Sequence, residues 1–169
     1  PRGMRFVKIK DHTNCDLCIQ TELHNIPFGF NTKDNCLQIS IPKNSKIYTC
    51  VKHVENLIKE QTFKNSTEYL RKSKFPKNEI DELFISNVKT SENFDPLFKL
   101  SFNKYTCVYK DDEETIIEPE NILKQSKGKF ILMPLYIWGS ASNYGIKWIV
   151  KQMIYHDNVN LNNVKPMFI

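Results

Sequence analysis

The chain has 169 residues, 40% hydrophobic and 25% charged, a globular balance that supplies a sizeable core and excludes disordered or fibrous classes. Its formal net charge of +5 permits an anionic partner without naming one. No run reaches the roughly 18 apolar residues of a membrane span, and "MRFVKIKDHTN" lacks the apolar centre of a secretory signal, so the expectation is a soluble, intracellular protein with no membrane partner.

Pro1, Arg2 and Gly3 read as the remnant of a cleavable tag, which leaves residues 4–169 as one domain. In "MRFVKIK", Arg5, Val7 and Ile9 alternate with Met4, Phe6, Lys8 and Lys10. In "CDLCIQTEL", Cys15, Leu17, Ile19, Thr21 and Leu23 share one face, again the period of a half-buried strand. After the turn-rich "NIPFGFNTKDN", "CLQISI" places Leu37, Ile39 and Ile41 together. Three strands of one antiparallel sheet are predicted.

The period then changes. From Ser45, a suitable N-cap, Ile47, Val51, Val54, Leu57 and Ile58 recur at helical spacing and predict an amphipathic helix over 46–61. A second helical segment is expected within 66–72, and Pro76 is placed to open a third through "KNEIDELF". Strand patterns return in "LFKLSF" (97–102) and "YTCVYK" (105–110), with Asn103 and Lys104 suited to a tight connection. A short helix is expected from Glu118 to Gln125, stopped at Gly128. "KFILMPLYIW" and "GIKWIVKQMIY" are the longest strand candidates, joined by "GSASNYG", and Pro134 belongs at an edge or a bulge because it cannot donate a ladder hydrogen bond. The fold class expected is mainly β (α+β): an OB-fold-like antiparallel barrel with a helical insertion over about residues 45–92.

Catalytic patterns are sparse. Cys15, Cys18, Cys50 and His53 match a CxxC…CxxH spacing, but the first pair falls in an alternating strand and points to opposite faces, while the second lies in a helix. Free, buried thiols are expected of the five cysteines, and no metal or cofactor. The nucleophile turn GxSxG and the phosphate-cradling glycine loops are absent. Asp111, Asp112, Glu113 and Glu114 read most simply as a solvated turn, with a metal-dependent nuclease kept as the remote alternative. The expectation is a protein that is not an enzyme.

The richer signal is aromatic and basic. In a strand over 146–155, Ile146, Trp148, Val150, Gln152 and Ile154 share one face, and Lys147, Ile149, Lys151, Met153 and Tyr155 the other. Two lysines at that spacing lie roughly 13 Å apart, a separation that can follow a phosphate chain. On the preceding run Phe130, Leu132, Pro134, Tyr136 and Trp138 form an aromatic-rich face opposite Ile131, Met133, Leu135 and Ile137, which are expected in the core. Stacking aromatics beside a basic groove hold single strands without sequence preference. Trp138, Tyr144 and Tyr155 are candidate stacking residues, and Lys129, Lys147 and Lys151 candidate phosphate ligands. Trp148 is a candidate for either role, with the core favoured. In "RKSKFPK", Arg71, Lys72, Lys74 and Phe75 extend the groove if the helical insert folds over the barrel mouth; the alternative is an exposed linker.

A strand ending in an aromatic, a small-residue loop, then "YGIKWIVKQMIY", preceded by "DPLFKLSF" and an acidic turn, resembles the single-stranded DNA-binding proteins of large nucleocytoplasmic DNA viruses. It is similar also to their relatives on the linear (killer) plasmids of yeast cytoplasm. The resemblance covers mainly residues 94–156. It implies an oligonucleotide-binding barrel, no catalysis, and coating of exposed strands during replication. It carries Tyr144, Gly145, Lys147, Trp148 and Lys151 as matching positions. The implied partners are single-stranded DNA or RNA, a second copy of the chain, and replication proteins. A non-catalytic subunit of a replication or transcription complex is the other reading.

Overall fold

The computed structural model describes residues 5–70, 76–140 and 142–157. Its strands are β1 (Arg5–Lys8), β2 (Ile19–Gln20), β3 (His24–Ile26), β4 (Cys36–Ser40), β5 (Phe84–Ile85), β6 (Val88–Lys89), β7 (Leu97–Ser101), β8 (Cys107–Tyr109), β9 (Ser126–Gly139) and β10 (Tyr144–His156). All ten belong to one sheet. Between β4 and β5 lie the helices α1 (Lys46–Lys64), α2 (Ser66–Leu70) and α3 (Lys77–Leu83). Among the described residues no helix is long and apolar enough to cross a membrane.

The long strands β9 and β10 form an antiparallel hairpin that organises the rest. β1, β2 and β3 follow one another along the free edge of β9. β10 runs parallel to β5, β7 and β8, and β7 is antiparallel to β4 and β6. β4 then curls back beside β3, where His24 Nδ1 lies 3.1 Å from the Ser40 carbonyl oxygen. Taking β1–β3 as one interrupted first strand and β7–β8 as one interrupted third, the neighbours run first, second, third, fifth, fourth and back to first. That is the order of a partly open oligonucleotide-binding barrel.

Three expectations about pairing change. The N-terminal runs do not pair with one another: β1, β2 and β3 add to β9, and β4 to β7. β3 also claims residues at the start of the stretch read as turn-rich. "LFKLSF" and "YTCVYK" are not a hairpin, because β7 and β8 are consecutive segments that both run parallel to β10. The turn between them, closed by the Thr106 N–H donating to the Asn103 carbonyl, jogs the chain and returns it to the same edge. The helix expected at 118–125 shrinks to a single turn of 3₁₀-helix, Pro119–Asn121, and Gly128 lies inside β9.

Other local readings hold. Ser45 caps α1, its Oγ accepting from the Tyr48 N–H, and Ile47, Val51, Val54 and Ile58 are buried while Leu57 is exposed. Glu55 is also buried on this helix. Its carboxylate accepts from the Lys52 ammonium at 2.8 Å and the Ser86 hydroxyl at 2.6 Å, which ties α1 to the turn between β5 and β6. Leu37, Ile39 and Ile41 enter the core as alternation requires.

The β9–β10 ladder contains two irregularities. Lys147 pairs with Tyr136 but Trp148 pairs with Pro134, so Leu135 is an extra residue in β9; Val150 pairs with Leu132 but Gln152 with Ile131, so Lys151 is an extra residue in β10. Pro134 therefore sits beside a bulge, as its missing N–H demands. Each bulge exchanges inward and outward positions along its strand. The inward face of β10 is Tyr144, Ile146, Trp148 and Val150, then Met153 and Tyr155, all buried; Gln152 and Ile154 turn outward, the reverse of simple alternation. In β9, Phe130, Leu132 and Pro134 point inward, and beyond the bulge Ile137 does so, leaving Tyr136 and Trp138 outside. The expected aromatic face is thus split.

Trp148 is 0% exposed and meets Phe98 edge-on, ring centroids 5.3 Å apart at 81°. Phe130, Leu132, Ile26 and Leu100 share this core. Trp148→Ala is expected to destabilise the fold by about 3–5 kcal/mol, measured as a lower urea midpoint at unchanged m-value.

Candidate nucleic-acid interface

On the outward face, register brings residues from distant parts of the sequence into one row across the strands. Lys8 lies opposite Tyr136, Tyr136 opposite Lys147, and Lys99 opposite Gln38. Ile149 pairs with Ser101 in the parallel β10–β7 ladder, so two residues back Lys147 and Lys99 are neighbours. Lys8, Tyr136, Lys147, Lys99 and Gln38 therefore follow one another perpendicular to the strands. At about 4.8 Å per strand the row spans roughly 19 Å.

An aromatic group flanks one end. Phe6 and Trp138 are paired across β1 and β9, and the Phe6 ring meets Tyr136 edge-on at 4.8 Å and 73°. Phe6 is 57% exposed, and Trp138 is half-buried next to the loop that joins the two long strands. The other end opens into a groove of about 520 Å3 beneath the β3–β4 loop, lined by Phe28, Phe30, Asn31, Thr32, Gln38 and Lys99. Phe28 there is 67% exposed.

Lys147 is the electrostatic centre of the row. Burial, followed by the neighbouring Lys99 charge, holds its ammonium below the usual lysine range. Folding thus sets two like charges side by side on a half-buried surface, an arrangement that an anion relieves. The proton is held less tightly in the folded chain than in the unfolded one. The charged form therefore subtracts from stability below the folded pKa, and the deficit fades as pH rises through that value toward the ordinary 10.5. Lys147→Met is expected to raise the melting temperature of the isolated protein at pH 7, measured by circular dichroism.

The candidate residues divide by exposure. Trp138, Lys147 and Lys129 face outward, and Lys151 is exposed at its bulge. Tyr144 is 0% exposed and Tyr155 is 4% exposed, so neither offers a ring face to a base and their expected stacking role is corrected, while Trp148, also 0% exposed, takes the core position that was favoured for it. Tyr144 packs edge-on against Phe84, and burial pushes its hydroxyl far above the usual tyrosine range. The Tyr155 hydroxyl accepts from the Leu123 N–H at 3.4 Å. Inward position explains all three. Arg71, Lys72, Lys74 and Phe75 lie outside the described residues.

Sequence reasoning missed Phe6, Lys8, Phe28, Gln38 and Lys99 as members of this surface. Alternation in "LFKLSF" and "CLQISI" already turned Lys99 and Gln38 away from the core, but their adjacency to Lys147 needs the parallel β10–β7 pairing. The cysteines are also corrected: Cys36 alone is buried, Cys50 is half-buried, and Cys15, Cys18 and Cys107 are exposed. Among the described residues no three His, Cys, Asp or Glu side chains gather as metal ligands would. Asp112 accepts from the N–H groups of Glu114 and Thr115 and from the Thr115 hydroxyl, and Asp111 pairs with His156 at the end of β10. The acidic turn is engaged in its own geometry.

Gly145 shapes the aromatic end. A Cβ there would stand 2.8 Å from both the Ile85 carbonyl oxygen and Trp138 Cζ2, so the indole lies against the bare backbone of its cross-strand partner. Gly145→Ala is expected to lift the indole off the sheet. Because Trp148 is sealed in the core, the change reads out as stronger acrylamide quenching of tryptophan emission.

No protein-family model matches the sequence, and a search of curated proteins finds no match. Among solved structures the fold is similar to gp2.5, a single-stranded DNA-binding protein encoded by bacteriophage T7, with a TM-score of 0.56 and 12% identity over 83% of this chain and 86% of that one. It is similar also to the single-stranded DNA-binding protein of bacteriophage Enc34, with a TM-score of 0.56 and 12% identity over 90% of each chain. The same Enc34 protein in complex with single-stranded DNA aligns with a TM-score of 0.55 and 13% identity, over 91% of this chain and 97% of that one. At these identities the likeness is one of fold.

Proposed function

We propose that this chain binds single-stranded DNA largely without regard to sequence, coats it during replication, and catalyses no reaction on it. The observation that carries this is the row Lys8–Tyr136–Lys147–Lys99–Gln38, with Phe6 and Trp138 at one end and the Phe28 groove at the other. Its Gln38–Lys99 end lies on the second and third barrel strands, the face that oligonucleotide-binding barrels use. Lysines at strand spacing meet successive phosphates, while Phe6, Tyr136 and Trp138 offer rings to bases whose stacking is sequence-tolerant. Lys127 and Lys129, outward on the lower part of β9, and Lys151 continue the positive track away from the row.

The fold likeness to phage proteins that bind single-stranded DNA supports this reading. The narrower kinship with proteins of nucleocytoplasmic viruses and yeast cytoplasmic plasmids rests on the segment from Tyr144 to Lys151, and with it a cytoplasmic setting. In this reading residues 4–169 act as one domain with the helices as an insertion, single-stranded RNA is a second ligand of the same surface, and self-association along the strand and contacts with replication proteins accompany coating.

Fluorescence anisotropy with a labelled mixed-sequence thirty-mer at two salt concentrations tests the proposal. Affinity should be micromolar or tighter and fall steeply with salt; Lys147→Ala and Lys99→Ala should each flatten the log–log slope by about 0.7, the single-strand value per phosphate contact. Salt-insensitive or absent binding rejects the proposal. A concentration-dependent oligomer without DNA affinity would instead assign the aromatic surface to another protein.

A further inference from the structure

The groove beneath the β3–β4 loop has a chemistry that a phosphate track does not require. Phe28 lines it with a ring that is 67% exposed, while Phe30, also in the lining, is fixed edge-on against Phe102 at 5.1 Å and 71°. Asp34 lines the same groove, its carboxylate 3.5 Å from the Lys99 ammonium, and Gln38 stands opposite Lys99 across the β4–β7 ladder. One groove thus holds hydrogen-bonding groups together with an exposed aromatic ring, the combination that reads the pairing edge of an unstacked base.

The loop is braced before any ligand arrives. Gly29 adopts φ +71° with no room for a side chain against the Ile122 carbonyl, and the Phe30 N–H donates to that same oxygen at 3.1 Å. Asn31 and Cys36 exchange backbone hydrogen bonds across the loop base, the Asp34 N–H donates to Asn31 Oδ1, and the Asn35 amide donates to the Phe102 carbonyl. A preformed pocket of about 520 Å3 loses little ordering entropy on binding.

We propose that this groove is a base pocket that prefers guanine, stacked on Phe28, with Asp34 accepting from its pairing edge; the inference rests on the single-strand-binding reading above. The pattern of donors decides the base. Guanine alone presents two adjacent donors, N1–H and the 2-amino group, beside an acceptor, O6. A carboxylate takes both donors, and the Gln38 amide supplies the donor for O6. Cytosine and adenine each set an acceptor nitrogen beside their single amino donor, and thymine sets acceptors on both sides of its one N–H, so each meets the carboxylate with a lone pair. Lys99 balances the Asp34 charge, which keeps the pocket compatible with the phosphate track.

The test compares labelled twelve-mers in anisotropy titrations at one low salt concentration: all-thymidine, and thymidine with three well-spaced dG, dI, dA or dC residues, a spacing that prevents guanine self-assembly. The dG oligonucleotide should bind roughly five- to tenfold tighter than all-thymidine, within the range of a good bidentate contact. The dI version, lacking the 2-amino group, should lose most of that gain, and dA and dC should show none. Asp34→Asn should bring dG and all-thymidine oligonucleotides to the same affinity, and Phe28→Ala should weaken both. Equal affinities in the unaltered protein, or a dG preference that survives Asp34→Asn, overturn the base pocket while leaving single-strand binding intact. Failure to bind any oligonucleotide overturns both.

Discussion

The ladder between β9 and β10 is the constraint on which the rest depends. Six of the other eight strands add to one of these two, and β4 and β6 follow through β7, so their register fixes where the remaining chain docks. The register is the sum of two bulges of opposite sense. Leu135 is inserted in β9 and Lys151 in β10, and between them the pairing is displaced by one residue before it returns to the original phase. In that displaced stretch Trp148 sits against Pro134 and Val150 against Leu132, in the centre of the core. Outside it the same strands present Trp138, Tyr136 and Lys129 to solvent. Core and working surface are two readings of one hairpin.

The surface opposes stability where it serves binding. Lys147 and Lys99 are juxtaposed by parallel pairing, and Lys147 is also partly stripped of water, so the empty protein carries a repulsion that a phosphate would neutralise. Asp34 offsets part of it at the far end of the row by its ion pair with Lys99. The acidic turn at 111–114 lies away from this row, held to the end of β10 by Asp111 and His156. A modest net charge of +5 is therefore less informative than its placement.

What could be read from the sequence was local. Ser45, the apolar stripe of α1, and the alternation of Leu37, Ile39 and Ile41 are short-range signals, and each appears in the structure as its spacing requires. Pro134 announced a break in the ladder because a missing donor has a local consequence. Two kinds of fact were not local. A bulge is an agreement between two strands, and nothing in "IVKQMIY" marks Lys151 as the residue left over; hence Met153 and Tyr155 were assigned to the wrong side. Neighbours across a parallel pair are likewise invisible, and Lys99 joined the surface only when β7 was set beside β10.

The paired bulges also restrict how such a hairpin can change over generations. Removing a residue elsewhere in either strand would turn every residue beyond it to the other face, exposing apolar side chains and burying lysines in one step, whereas Leu135 and Lys151 are the unmatched residues of their bulges and their loss would leave every other residue on its present face. Removing both would straighten the ladder with every other pairing unchanged. Length variation should therefore accumulate in the loop between the strands and at the two bulges, while elsewhere within the strands substitutions are tolerated and single insertions or deletions are not. Between the two bulges and the strand ends, residue count is under stronger constraint than residue identity.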